Sequence, residues 1–324
     1  MTRFAIVGAG ATGGYLGACL ARSGADVVLL ARGPHLAAMR ERGLTVREAD
    51  GSEFTTRPEC TDDLARAVGS AEVVFVTLKA HSLPALAPAL GAALRPGATL
   101  VTAQNGIPWW YFQRYDGPLA GTRLETVDPG GVIAEHIPIE SVLGCIVYPA
   151  TSLLEPGLVE HREGNRFSFG EPDGSRSDRA AAIGKALAGA GLKAPVQTRI
   201  RQELWLKLLG NATFNPVSAL TRATLAQMGA LPEARELVRA LMEEVDAVAR
   251  GLGVEVEIGL DRRLEAGFAV GQHKTSMLQD LEAGRPLEVE ALVGAVCELG
   301  DRLGLALPHL RAVYALAKLL DRSR

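Results

Sequence analysis

Two sets of residues in this chain have types and spacing that could do chemistry. The first is Gly8-Ala9-Gly10-Ala11-Thr12-Gly13, a G-x-G-x-x-G placed between the apolar run Phe4–Val7 and a helical stretch. In such a loop the first glycine permits a tight turn. The second lets a pyrophosphate approach the backbone, and the third lets helix and strand pack closely. The helix N-terminus adds free N–H groups and a partial positive charge. Its position between strand and helix points to a bound dinucleotide, the plainer alternative being a turn with a purely conformational use. The next apolar run ends Leu29-Leu30-Ala31-Arg32-Gly33. A site for NAD would want an Asp or Glu there to bond the ribose 2′-hydroxyl, and none is present. Arg32 stands instead where a 2′-phosphate would lie, and a guanidinium pairs with phosphate bidentately. NADPH is therefore the expected cofactor, against the ordinary alternative of a solvated surface arginine.

The second set lies in residues 201–215, RQELWLKLLGNATFN. Apolar side chains cover nearly every direction around this helix, so it should be largely buried. Lys207, Asn211 and Asn215 are spaced four apart, which stacks them along one strip. An unpaired buried ammonium is costly, so the strip should face a polar cleft or a partner. A lysine partly desolvated at a cleft wall is suited to acid catalysis. Pro216 should kink or end the helix at Asn215. Further on, Thr275-Ser276-Met277-Leu278-Gln279-Asp280 and then Glu288 form another polar cluster. Taken alone, it reads equally well as a helix cap and a solvated glutamate.

The elements that must position these residues come from the periodicity. Strands are expected at Phe4–Val7, Asp26–Leu30, Val73–Thr77 and Thr99–Ala103, with helices at 12–22, 34–42 and 83–93 between them. That alternation indicates crossover units and a parallel sheet. Val142–Tyr148, Leu158–Arg162 and Arg166–Gly170 lack intervening helices and read as an antiparallel extension, with Gly164-Asn165 as a turn. After about Ile200 the chain reads as helices at 201–215, 231–251, 259–281, 287–304 and 308–322. The expected fold class is α/β followed by an all-helical part, divided as 1–198 and 199–324.

Composition narrows the function. Apolar residues make up 48% and charged residues 22%, with a net charge of −3 and both signs spread along the chain. Neither nucleic acid nor an anionic membrane is suggested as a partner. The four cysteines (19, 60, 145 and 297) form no CxxC pair, and the six histidines show no metal-ligand spacing. No metal is expected, and a reducing, cytosolic compartment is the natural reading. No targeting segment or membrane-spanning run is evident.

Taken together, these residues resemble the ketopantoate reductases (2-dehydropantoate 2-reductases) over almost the full length. The resemblance lies in GAGATG, Thr77-Leu78-Lys79, Gln104-Asn105-Gly106, the K-x-x-x-N-x-x-x-N-P of Lys207 to Pro216, and Ser276-Met277-Leu278-Gln279-Asp280 with Glu288. It implies a Rossmann-type domain binding NADPH and a helical domain carrying substrate. The reaction would be hydride transfer to the ketone of 2-dehydropantoate, a small 2-oxo acid, giving pantoate. Lys207 matches the family's proton donor, whose charge also stabilises the developing oxyanion. Asn105 matches the cofactor–substrate junction, and Lys79 and the backbone at Ala150 match cofactor contacts. Asn211, Asn215 and Ser276 match substrate positions, with Ser276 near the carboxylate, and Glu288 matches a carboxylate near cofactor and lysine.

Three departures touch the substrate end. Leu225 stands where the family often has a further asparagine, Trp109 and Trp110 follow the QNG turn, and the 112–141 segment looks long. That segment could form a lid, a hairpin or a subunit contact. The tryptophan pair could admit a bulkier branched or aromatic 2-oxo acid, or simply anchor the following chain. A non-catalytic NADPH sensor is the reading from another class, opposed by the joint presence of Lys207, Asn105, Ser276 and Glu288. Oligomeric state, a homodimer included, is left open by the sequence.

Overall fold

The computed structural model describes residues 2–323. Two compact units emerge, one from the residues up to Gln104 with Gly130–Ile200, the other from Asn105–Pro129 with the residues from Arg201 onward. A single cut at 198/199 therefore misses that 105–129 clusters with the C-terminal helices.

The first unit opens with β1 (Arg3–Val7), α1 (Ala11–Arg22), β2 (Asp26–Leu30) and α2 (Gly33–Arg42). Three short strands follow, β3 (Leu44–Arg47), β4 (Glu53–Thr56) and β5 (Glu59–Thr61), then α3 (Leu64–Val68) and β6 (Val73–Val76). Next come α4 (Leu83–Ala93), β7 (Thr99–Thr102), α5 (Val132–His136), β8 (Val142–Val147), β9 (Ala150–Glu155), β10 (Leu158–Glu163), β11 (Phe167–Gly170) and α6 (Asp178–Gly189). The main sheet has the order β11-β8-β7-β6-β1-β2-β5. Its central strands are parallel and buried along their length, Ile6 lying beside Leu29 on one side and Phe75 on the other. Unbroken apolar runs are what a sheet covered on both faces requires. Strand order reverses around β1, which opens a crevice at the carboxyl ends of β1, β2 and β6.

The expected antiparallel extension is only partly found. β11 does run antiparallel to β8, but β8 pairs parallel with β7. β10 leaves this sheet altogether and joins a second one, in the order β4-β3-β10-β9. There Val159 pairs in parallel with Val46. Strands β3, β4 and β5 escaped the sequence reading because they are three or four residues long with at most two buried positions each, and β9 because none of its six residues is buried. The second sheet covers α1, where a Cβ on Gly14 would sit 3.0 Å from Val159.

The helical unit comprises α7 (Ile200–Asn211), α8 (Phe214–Thr221), α9 (Leu225–Ala230), α10 (Pro232–Gly251), α11 (Leu260–Phe268) and α12 (Ser276–Glu282). A π-turn (Glu290–Gly294), α13 (Ala295–Leu303) and α14 (Pro308–Arg322) complete it. Two expected helices are broken. The 201–215 helix stops after Asn211 because Pro216 lacks an N–H and its ring would strike the carbonyl four residues back; α8 restarts with that proline in its first turn. The 259–281 helix is interrupted by Gly271 at φ +86° and restarts where Thr275 accepts the Leu278 N–H. No helix among the described residues is long and apolar enough to cross a membrane.

Segment 105–129 is held within the helical unit by aromatic packing and by one carboxylate. Trp110, Tyr111, Phe112 and Trp205 are fully buried, and the Trp205 indole N–H donates to Tyr111 Oη at 2.7 Å. Arg201 lies over the Trp110, Tyr111 and Tyr115 rings and donates to the Tyr111 carbonyl. Glu298 accepts the Glu125 and Thr126 backbone N–H groups at 3.0 Å each and the Thr126 hydroxyl at 2.8 Å. Burial pushes its pKa up, but these donors and Arg302 outweigh that and hold it below 4.5. A group depressed in the fold stabilises it above its unfolded pKa and loses that contribution as pH falls through the folded value. Glu298→Gln is accordingly expected to cost about 1–3 kcal/mol at pH 7. The deficit should shrink in denaturant titrations run below pH 4.5; an equal deficit at pH 7 and pH 3 would contradict the assignment.

Candidate active site

The glycine loop, the end of β2 and the start of α4 enclose a cavity of ≈ 500 Å³ in the first unit. Gly8, Ala9 and Gly10 form one wall, Ala31, Arg32 and His35 another, and Leu78, Ser82 and Leu86 a third. Sequence dictates this shape. Gly8 has φ +103°, a conformation side chains resist, and a Cβ there would press on Leu78. A Cβ on Gly13 would collide with the Gly8 carbonyl oxygen and with Thr77 Oγ1, which itself donates to that carbonyl at 2.7 Å. Gly10 faces open space. Helix α1 starts there with no side-chain cap, so its first-turn N–H groups, on Ala11, Thr12 and Gly13, suit an anion at that point.

Arg32 is exposed, caps the start of α2 and lines the cavity, with no carboxylate among the lining residues. The glycine loop, the uncapped start of α1 and the cavity lining thus fit a dinucleotide. Lys79 is half-buried between the lining residues Leu78 and Ser82 but is not itself in the wall. Ala150, half-buried, begins β9. His81 is exposed and outside the cavity wall.

His35 carries a signal the sequence reading missed. Its Nδ1 accepts the Gly157 N–H at 3.0 Å, so the ring proton sits on Nε2, which donates to the Ala9 carbonyl at 2.7 Å. Burial holds its pKa below the ordinary 6.5, against the opposing effect of the Ala9 bond. The available clue was spacing: three residues after Arg32, in the first turn of the helix that begins there.

The second group of residues assembles in the helical unit. Lys207 on α7 is half-buried and donates from Nζ to Asn105 Oδ1 at 2.7 Å. Asn105 is the first residue of this unit, one peptide bond beyond Gln104. Gln104, at the end of the first unit, donates to the carbonyl of the cavity residue Leu78 at 3.1 Å. Asn211 shares α7 with Lys207, but the break at 212–213 puts Asn215 on α8, ending the single strip expected from spacing. Asn215 is buried and donates to Ser276 Oγ at 3.4 Å; Ser276 is exposed at the start of α12. Glu288 is buried just ahead of the π-turn.

That π-turn braces Asn105 from behind. The Ala295 N–H reaches back to the Glu290 carbonyl and not to that of Ala291. Ala291 O accepts the Ile107 N–H at 2.9 Å. Gly106, at φ +89°, passes so near this oxygen that a Cβ would collide with it. Lys318 and Tyr314 of α14 both bond the Glu290 carboxylate, which ties the turn down. Single π-turns inside helices recur at functional sites for this kind of local re-aiming. Trp109 and Trp110 are buried, and Leu225 is buried at the start of α9. Among the described residues no cluster of His, Cys, Asp or Glu could hold a metal ion.

Comparison with known proteins bears on this arrangement. The family description "Ketopantoate reductase PanE/ApbA" matches residues 4–109, and "Ketopantoate reductase PanE/ApbA C terminal" matches residues 199–321. A curated 2-dehydropantoate 2-reductase of Mesorhizobium japonicum is 48% identical over 99% of this chain and 98% of its own length. A crystal structure from Ralstonia solanacearum, of a chain assigned as a ketopantoate reductase, is 41% identical with a TM-score of 0.94. It covers 100% of this chain and 99% of the other. A D-mandelate dehydrogenase in ternary complex with NADH and anilino(oxo)acetate shares the fold, at 21% identity and a TM-score of 0.84 over 99% of each chain.

Proposed function

This chain is an oxidoreductase of the ketopantoate reductase family, and from that premise we propose that it reduces 2-dehydropantoate to pantoate with NADPH in the cytosol. The observation that carries the reading is the 2.7 Å bond from Lys207 Nζ to Asn105 Oδ1, which aims a half-buried ammonium at the residue where the chain enters the helical unit. The dihydronicotinamide, when bound, supplies a hydride to the ketone carbon. Lys207 supplies the proton to the ketone oxygen and stabilises the negative charge growing there. Asn105 fixes the direction of the ammonium. Asn211, Asn215 and Ser276 hold the polar groups of the oxo acid, and the buried carboxylate of Glu288 serves the lysine and cofactor. Gly8 to Gly13 hold the pyrophosphate, Arg32 the 2′-phosphate, and Lys79 and the Ala150 backbone complete the cofactor contacts.

Trp109 and Trp110 are buried, and the bulkier branched or aromatic 2-oxo acid they suggested is the rival that the substrate comparison addresses. The test has two arms. Steady-state kinetics should rank 2-dehydropantoate above other branched and aromatic 2-oxo acids; a rival preferred hundreds-fold ends the substrate assignment. Arg32→Asp should lower the NADPH-to-NADH preference by roughly 100-fold, through lost pairing and added repulsion. A parent protein already preferring NADH would remove Arg32 from cofactor choice.

A further inference from the structure

His35 has no role in the chemistry above and the second sheet enters it only through the Ala150 backbone, yet both meet the glycine loop. The β9–β10 hairpin turns at Gly157, whose φ of +86° directs its N–H to His35 Nδ1 at 3.0 Å. Through the other nitrogen, the same ring donates to the Ala9 carbonyl at 2.7 Å. The hairpin is itself held, because Gly157 O accepts the Thr45 N–H of β3 at 2.9 Å. A second tie runs between the hydroxyls of Thr12, in the first turn of α1, and Thr151 of β9, 3.4 Å apart. His35 also lines the cofactor cavity beside Arg32.

We propose that His35 is a positioning residue for the cofactor: a neutral imidazole strut that fixes the Ala9 peptide of the phosphate loop against the β9–β10 hairpin. A loop of glycines loses much conformational freedom on binding a ligand, so holding it beforehand raises affinity without adding a contact. Both ring nitrogens are already engaged, so His35 has no donor left for the 2′-phosphate. Its effect falls on NADPH and NADH alike, and cofactor choice stays with Arg32. Hydride and proton transfer do not involve it. The role requires the unprotonated Nδ1, in keeping with the burial that disfavours the imidazolium.

This inference rests on the cofactor reading above, and its test separates the two. In the full chain, His35→Phe removes both bonds while filling the space. His35→Gln restores an acceptor and a donor at nearly the spacing of the ring nitrogens. Dissociation constants for NADPH and NADH are read by quenching of protein fluorescence, alongside kcat at saturating cofactor and the thermal midpoint. His35→Phe should weaken both dinucleotides by about 10-fold, with their ratio and kcat within about twofold of the parent, and His35→Gln should recover most of the loss. A lowered thermal midpoint with unchanged dissociation constants makes His35 merely structural and overturns the proposal. So does a selective loss of NADPH, which would mean direct contact with the 2′-phosphate. A parent that binds neither dinucleotide defeats the cofactor reading and this inference together.

Discussion

Lys207→Ala should reduce kcat by about 100-fold or more while NADPH affinity stays within about threefold of the parent. In the proposed mechanism the proton from Lys207 passes only as the ketone oxygen gains charge, so the expected loss falls on the transition state. Both kcat and kcat/KM should then drop by similar factors, the pattern of an interaction absent from the ground state. Its position supports the expectation: Nζ is half-buried and directed by Asn105 Oδ1 at 2.7 Å. In such surroundings an ammonium stabilises an oxyanion more strongly than it would in water. Steady-state kinetics on 2-dehydropantoate with parallel NADPH titration checks it. Parental turnover in the alanine variant would take Lys207 out of the mechanism.

Gly106→Ala is expected to cost turnover on the order of 100-fold, although residue 106 has no side chain to offer. An alanine at φ +89° bears left-handed strain of about 1–2 kcal/mol. Its Cβ would also strike the backbone oxygen of Ala291, which cannot rotate away as a side chain could. Relief requires stretching the Ile107–Ala291 hydrogen bond or turning residue 106 to negative φ. Either response moves Asn105, and with it the group that directs Lys207. Displacement of a positioning group by roughly 1 Å is enough for such a loss. Cofactor affinity should stay within about tenfold, since the glycine-loop cavity belongs to the other unit. Turnover within twofold of the parent would show that the π-turn and Gly106 do not set the site.

Much of this protein was legible from local pattern. Strand β2 and helix α4 were expected at their observed bounds, Asp26–Leu30 and 83–93, and β1, β6 and β7 within a residue or two. Buried parallel strands are continuous apolar runs, and their helices announce themselves by period and by Gly or Pro at the ends. Of the second sheet, β3 and β4 were missed because each is only four residues long and partly exposed, and β9 because none of its six residues is buried, so none carries such a signal.

The chain's own order of residue types was enough to specify a strand–glycine loop–helix, an arginine in place of an acid after β2, and a lysine and two asparagines at intervals of four. Those depend on neighbours a few residues apart. What required the fold was everything decided by partners distant in the chain. β8 lies parallel to β7, and β10 leaves the main sheet for β3. Segment 105–129 joins the helical unit, with Glu298 accepting its N–H groups. Lys207 meets an asparagine 102 positions away, and His35 meets a turn 122 positions away. Hydrogen bonds and close packing select such partners by distance in space, a quantity that residue spacing along the chain does not contain.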